Sequence, residues 1–192
     1  DLYYVDHWVN FGTAADGSPL PAGGPLVELS GSPYAFAPEK RRTIRHLFVQ
    51  DQWAIAPEWA LTSGLRYDHY SDFGATLNPR LALVWLSTDQ ITTKLLYGQA
   101  FRPPSYQELF AITSRSLPNP EIAPERSQTI DLSFDVAVNQ GLHLNLTLFQ
   151  LQQSDLISKD RNRQYINSGD HTIRGLELEA LWQATTTLRL AA

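Results

Sequence analysis

Between Pro104 and Pro118 the chain carries Tyr106, Phe110, Thr113, Ser114 and Arg115 in a segment with no regular pattern. A mixed aromatic and cationic surface of this kind suits an anionic ligand. Arg115 is the strongest single candidate for that contact. Arg102 lies just ahead, at the end of a strand-like run. Its planar fork has two readings: contact with an anionic ligand or phosphate, or a structural ion pair with Glu108, Glu121 or Glu125. A second cationic group, Lys159, Arg161 and Arg163, falls within 154–172 beside Asp160, Asn162 and His171. It reads either as part of a binding site or as a solvated loop tip.

Catalytic arrangements do not assemble. Glu177 and Glu179 are two carboxylates at i and i+2, as a glycosidase pair could use, but nothing else supports that chemistry. The five histidines stand at 7, 46, 69, 143 and 171, without metal-ligand spacing. The chain has no cysteine, so it has neither a disulfide framework nor a thiolate metal site. With no nucleophile–base pair or phosphate loop, an enzyme is not expected, nor a bound cofactor or metal.

Prolines frame the candidate residues. Pro103 and Pro104 remove two backbone donors and fix two φ angles, so no sheet ladder continues through them. Pro118, Pro120 and Pro124 stiffen the C-terminal half of this loop and lower the entropy lost when it orders. Asn119 before Pro120 initiates a turn, which is architecture rather than chemistry. Glu125 closes the segment. Gly175, inside a strand-like run, marks a bulge or the close approach of another backbone.

The elements that position these residues follow period 2. Ile130, Leu132, Phe134, Val136 and Val138 share one face, with Asp131, Ser133 and Asp135 on the other. Leu142, Leu144, Leu146 and Leu148 oppose His143, Asn145 and Thr147; Leu176, Leu178, Ala180 and Trp182 oppose Glu177 and Glu179. Leu47, Val49, Trp53 and Ile55, and then Trp59, Leu61, Leu65 and Tyr67, repeat the pattern. No helical period is sustained, so the fold class is all-β. Strands are expected at 2–9, 44–55, 59–70, 79–86, 91–101, 126–138, 142–152 and 173–183, with a ninth from about 186.

Composition and connections narrow the class. A net charge of −5 and a pI near 5.5 argue against a nucleic-acid surface. No apolar run is long enough for a transmembrane helix, which leaves spanning by β-strands open. The joins after 55, 86, 138 and 183 are short, whereas those after 9, 70, 101 and 152 are longer. A meander puts alternate joins at opposite ends, so one end has tight turns and the other has loops. That asymmetry belongs to outer-membrane barrels, with short periplasmic turns and long outside loops. Trp53, Trp59, Tyr67, Tyr70, Trp85, Tyr97, Phe101, Phe149 and Trp182 near strand ends suit the two aromatic girdles. A soluble β-sandwich carbohydrate-binding module and a passive porin-like barrel are the alternatives.

The linked runs Gly64–Trp85 (GLRYDHYSDFGATLNPRLALVW), Thr93–Phe110 (TKLLYGQAFRPPSYQELF) and Asn119–Phe134 (NPEIAPERSQTIDLSF) carry a specific likeness. With Tyr165–Trp182 (YINSGDHTIRGLELEALW), they resemble the β-barrel domain of TonB-dependent outer-membrane receptors in order and spacing. The resemblance covers about 44–192. It implies an antiparallel up-and-down transmembrane barrel of 22 strands, of which this chain of about nine is a fragment. It also implies an N-terminal plug domain in the lumen and a TonB box ahead of it, both outside this sequence. Further implications are an address in the outer membrane of a Gram-negative bacterium, contact with its lipid, and import energised through TonB. The cargo would be a ferric siderophore, with cobalamin, haem or a glycan as alternatives. In haem receptors of the family a His usually lies between the F-R-x-P and N-P-x-L elements, and Ser105–Pro118 has none. The chain has no Met and opens and ends within strand-like patterns, as an excised piece would. On this reading residues 1–192 form one partial barrel domain.

Overall fold

The computed structural model describes residues 2–3, 8–9, 12–14, 16–20, 22–29, 32, 38–113 and 115–192. Seven long strands and a short one form its centre: β1 (Ile44–Ala56), β2 (Trp59–Tyr70), β3 (Gly74–Thr88), β4 (Ile91–Arg102), β5 (Glu125–Asn139), β6 (Leu142–Ser154), β7 (His171–Gln183) and β8 (Arg189–Ala191). They hydrogen-bond in sequence order, every pair antiparallel, as one eight-stranded meander. One short helix, α1 (Tyr106–Phe110), interrupts the long connection from β4 to β5.

Two expectations need correction. The strand expected at 2–9 is no part of this sheet. Leu2–Tyr3 pairs with Lys40–Arg41 and Trp8–Val9 with Val27–Glu28; Gly12–Thr13 pairs with Pro19–Leu20, while 4–7 lie outside the described residues. These three pairings nest as in a hairpin whose last described residues lead into β1 at the loop end, so among the described residues the sheet has eight strands rather than nine. The join after Tyr70 is also short, because β3 begins at Gly74 and runs through Pro79. The β3–β4 ladder stops at Arg80↔Gly98, so beyond it Pro79 has a paired strand only on the β2 side, where a missing donor is tolerated.

One row of paired residues crosses the sheet as Trp53, Leu61, Leu83, Leu95, Leu132, Leu148 and Leu176. An apolar row running unbroken over seven strands, with Trp53, Leu95, Leu148 and Leu176 exposed, is not a protein core. It faces hydrocarbon. The apolar stretch of this face runs over Leu47–Ile55 on β1 and Leu77–Trp85 on β3, but Ile130–Val138 on β5 and Leu176–Trp182 on β7. Relative to the row, the band descends by about one residue per strand. A stagger of ~3.3 Å for each ~4.8 Å between strands is a tilt of about 35°, the inclination of barrel strands. Nine residues at that tilt span about 22 Å of height, close to the ~25 Å lipid-facing band of outer-membrane barrels.

Trp59 and Trp85 stack at 5.0 Å on the turn-end edge of the band, with Trp182 farther along it. Phe149 belongs to the opposite face, not to a girdle. Asp51 breaks the outward pattern within the band; its paired neighbour on β2 is Ser63, and among the described residues it forms no ion pair.

The inward face is polar and hydrogen-bonded. Lys94 pairs with Asp135 at 2.5 Å, and Asn145 Nδ2 donates to Asp135 Oδ1 and Ser133 Oγ. Arg66 grips the fully buried Asp68 at 2.7 Å. Arg80 folds across Gly64 to Gln50, its guanidinium 5.1 Å from the Phe48 ring; any Cβ at Gly64 would lie 2.8 Å from Arg80 Nε.

Candidate functional site

The loop end gathers the three longest connections: 2–43, 103–124 and 155–170. Their backbones leave the sheet, so their polar groups must be met by side chains and by each other. The first consequence appears at α1. Ser105 caps the helix by accepting from Glu108 N, while the Glu108 carboxylate accepts from Ser105 N at 2.7 Å. The turn then buries Pro104, Leu109, Ala111 and Ile122, giving the loop a small core of its own.

Arg102 sits beneath that turn and forks between two carboxylates. Its Nε donates to Glu125 at 2.7 Å and its terminal nitrogens reach Glu108 at 3.1 Å. Of the three acidic partners that the sequence offers, Glu108 and Glu125 are in contact with it. Glu125 also accepts from Ile157 N at 2.9 Å, which ties the 155–170 loop to the same node.

Burial raises the proton affinity of Glu108, but donation from Arg102 and Ser105 outweighs it and holds the carboxyl below the usual carboxylate range. A lowered folded value means that this contact stabilises the loop above the ordinary 4.5 and is lost as pH falls through the folded value. Protection factors of the 105–111 amides, each referred to its intrinsic exchange rate at that pH, should therefore be high at neutral pH and lower in acid below the folded value. Equal protection at both would show that the fork does not hold the loop.

The two later loops are zipped together. Leu117 and Gln164 form a parallel bridge, with Leu117 N donating to Arg163 O at 2.8 Å and Tyr165 N to Leu117 O at 3.1 Å. Asn119 Nδ2 donates to Tyr165 O at 2.9 Å, while Asn119 Oδ1 accepts from Glu121 N. Asn167 exchanges bonds with Ala123 N and O. The asparagine ahead of Pro120 thus starts a turn and also stitches two loops.

This joint rim presents the cations. Lys159 Nζ lies 3.5 Å from Arg115 O and 5.3 Å from the centre of the Tyr165 ring. Arg115, Lys159, Arg161 and Arg163 are exposed on it, and Arg163 sits at φ 67 in the tip turn that Asp160 holds by accepting from Asn162 N and Gln164 N. Ser114 lies outside the described residues. Tyr106 and Phe110 are half-buried on α1 rather than free in the loop: Tyr106 covers Arg42 at 4.8 Å, and Lys40 lies over Phe110 at 4.9 Å.

Arg42 is the residue that sequence reasoning misses. It is buried, ion-pairs with Asp72 at 2.7 Å and donates to Pro104 O at 2.7 Å. Tyr70 and Phe73 complete an aromatic surround at 5.6 and 5.5 Å. It clamps the base of the 2–41 excursion to the 71–73 turn and to the start of 103–124. Within the run Lys40-Arg41-Arg42 nothing marks it out.

Gly175 also has a different cause from the one expected. The β6–β7 ladder passes it without a bulge, opposite Phe149, whose ring would lie 2.6 Å from any Cβ added there. The glycine makes room for an aromatic of its own sheet.

A family model described as TonB dependent receptor-like, beta-barrel, matches residues 2–192. The chain is 30% identical over 118 residues to the iron-regulated outer membrane virulence protein of Vibrio cholerae, covering 58% of this chain and 18% of that protein. It is 29% identical over 162 residues to the heme/hemopexin utilization protein C of Haemophilus influenzae, covering 64% and 23%. Among solved structures, the siderophore receptor PirA from Pseudomonas aeruginosa superposes with a TM-score of 0.74 at 27% identity, covering 80% of this chain and 31% of that one. The chain thus spans about a fifth of the length of the curated relatives it matches.

Proposed function

With its β-barrel match over residues 2–192, the chain belongs to the TonB-dependent receptor family, and from that premise we propose that it helps to form an importer of ferric siderophores. Its place is the outer membrane of a Gram-negative bacterium. The observation that carries the cargo reading is the rim: loops 103–124 and 155–170, bonded into one surface, expose Arg115, Lys159, Arg161 and Arg163. The chain as a whole is acidic at −5, so four cations on one rim concentrate the opposite sign where a ligand arrives. Guanidinium forks match the paired oxygens of a catecholate or carboxylate ligand around iron. The iron complex is cargo, not a resident cofactor.

Other cargoes of the family fit the rim less well. Haem receptors of the family usually carry a histidine between the F-R-x-P and N-P-x-L elements, and Ser105–Pro118 holds none. Cobalamin has little net charge and gains little from a cationic surface. TonB would engage a segment N-terminal to this chain, and a plug domain would fill the lumen against the polar inward face. The residues 1–192 are then one stretch of wall carrying two of the ligand-facing loops.

The test uses the full-length parent receptor. Arg115→Gln combined with Arg161→Gln should weaken binding of an anionic ferric catecholate by about a hundred-fold or more, since each charged hydrogen bond lost is worth ~1.5–3 kcal/mol. Cobalamin binding, measured alongside, should not change. Unaltered siderophore affinity would remove the rim from the binding site.

A further inference from the structure

The outward face of β1 and β2 carries one polar pair inside the apolar band. Asp51 and Ser63 are direct cross-strand partners, with Val49 opposite Leu65 above them and Trp53 opposite Leu61 below. Every other outward residue of the band on these two strands is aliphatic or aromatic. Asp51 is the midpoint of Leu47–Ile55, so its carboxyl faces the middle of the hydrocarbon. Asp51 is exposed, and among the described residues neither it nor Ser63 makes a side-chain hydrogen bond or an ion pair.

A polar group left without a partner in hydrocarbon is costly, and an ionisable one at that depth marks a functional contact. The strand that closes the wall beside β1 lies in the plane of the wall, so it leaves this face uncovered.

We propose that Asp51 and Ser63 form the centre of a homodimer contact within the membrane, covered by the same face of a second copy. The surface is its own complement. On β1 and β2 the upper edge of the band is itself a paired couple, Leu47 and Tyr67, so paired residues on these strands stand at one depth. A two-fold axis along the membrane normal, passing between β1 and β2, keeps both mouths on the outer side. It sets Asp51 of each copy opposite Ser63 of the other. Each hydroxyl then donates to the facing carboxyl, and no cation has to enter the hydrocarbon. Across the same axis Val49 meets Leu65 and Trp53 meets Leu61, so apolar pairs seal the two hydrogen bonds above and below. A foreign partner would have to bring its own donor to this depth, whereas this face already carries one.

The experiment reconstitutes two differently tagged populations of the full-length receptor in the same vesicles, one with Trp53→Cys and the other with Leu61→Cys, and adds a short bismaleimide. The two tags should be joined in one product, whereas copies carrying Leu148→Cys, in the same row on β6, should not join. Asp51→Leu or Ser63→Ala in both populations should weaken the dimer about thirty-fold, as expected for two hydrogen bonds in hydrocarbon. Asp51→Asn keeps an acceptor for the hydroxyl and should retain the dimer. Heat-modifiable mobility in gels reports that each variant barrel is folded. Should the cysteine variants not fold, single-molecule photobleaching of receptor with one label on its tag counts the copies directly: two steps are expected for the wild type and one for Asp51→Leu. Tags that never join, or a wild type that bleaches in one step, would overturn the proposal and assign the carboxyl to a donor on the adjoining strand of its own barrel or to another protein. Dimerisation that survives both Asp51→Leu and Ser63→Ala would overturn it too, because the contact would then lie elsewhere on the wall.

Discussion

Replacing Arg42 with alanine is expected to release three loops at once, at a cost of about 3–5 kcal/mol to their ordered state. The side chains of Arg42 and Asp72 are 9% and 10% exposed, so the carboxylate left behind cannot recover its losses from water. Asp72 Oδ1 already lacks a hydrogen-bond partner, which makes Arg42 the main compensation for that charge. Pro104 O loses a donor as well, and Tyr70, Phe73 and Tyr106 close around a void. Breaking one side of a buried pair is worse than removing both, because the orphaned charge is the larger penalty. Arg42→Leu with Asp72→Asn should therefore be milder than Arg42→Ala alone. Amide exchange over 71–73 and 105–110 in the full-length receptor reports the result. Unchanged protection in the single variant would show that the clamp is incidental. Because Tyr106 covers this arginine, a Tyr106 substitution also disturbs the clamp and is a poor probe of ligand contact.

The same clamp shows what sequence can and cannot reveal. Long strands are legible because period 2 persists over a dozen residues: Ile130 to Val138 and Leu142 to Leu148 can be assigned a face from residue type alone. Trp8-Val9 misleads since a two-residue ladder has no period to test, and its partner, Val27–Glu28, lies far along the chain. Pro79 reads as the start of β3 because proline normally excludes a ladder; register, which sequence does not show, leaves that residue unpaired on the β4 side. Five residues of α1 are too few for a helical period, though Ser105 and Glu108 do spell a capping box. The cations of the rim are visible as residue types. Their assembly depends on Leu117 meeting Gln164 across 47 positions of chain, a long-range pairing that no local pattern encodes. Arg42 has no signal, for its partners come from the end of β2 and from two connections other than its own.

The descent of the apolar band carries the second large effect, because it makes residues in one hydrogen-bonded row unequal. Leu81, Tyr97, Ile130 and Gln150 are consecutive partners across β3, β4, β5 and β6, all on the outward face. A flat, untilted sheet would put them at one depth, and an arginine should then cost the same at either end. Tilt separates them. Leu81 is the midpoint of the Leu77–Trp85 stretch on β3, so it faces the middle of the hydrocarbon, 47% exposed to it. Gln150 lies just above the end of the band on β6. Leu81→Arg should thus destabilise the folded receptor in bilayers by about 2–4 kcal/mol, whereas Gln150→Arg should cost ~0–1 kcal/mol. Native Arg174, the next partner in the row beyond Gln150, indicates how readily that height accepts the charge. Asp51, at the far end of the same row, is a native charge within the band, and acidic groups are the less costly sign there. Equilibrium unfolding of the two variants of the full-length receptor from lipid vesicles measures the difference. Equal destabilisation would refute the tilt; tolerance of both would refute the lipid-facing assignment of this surface.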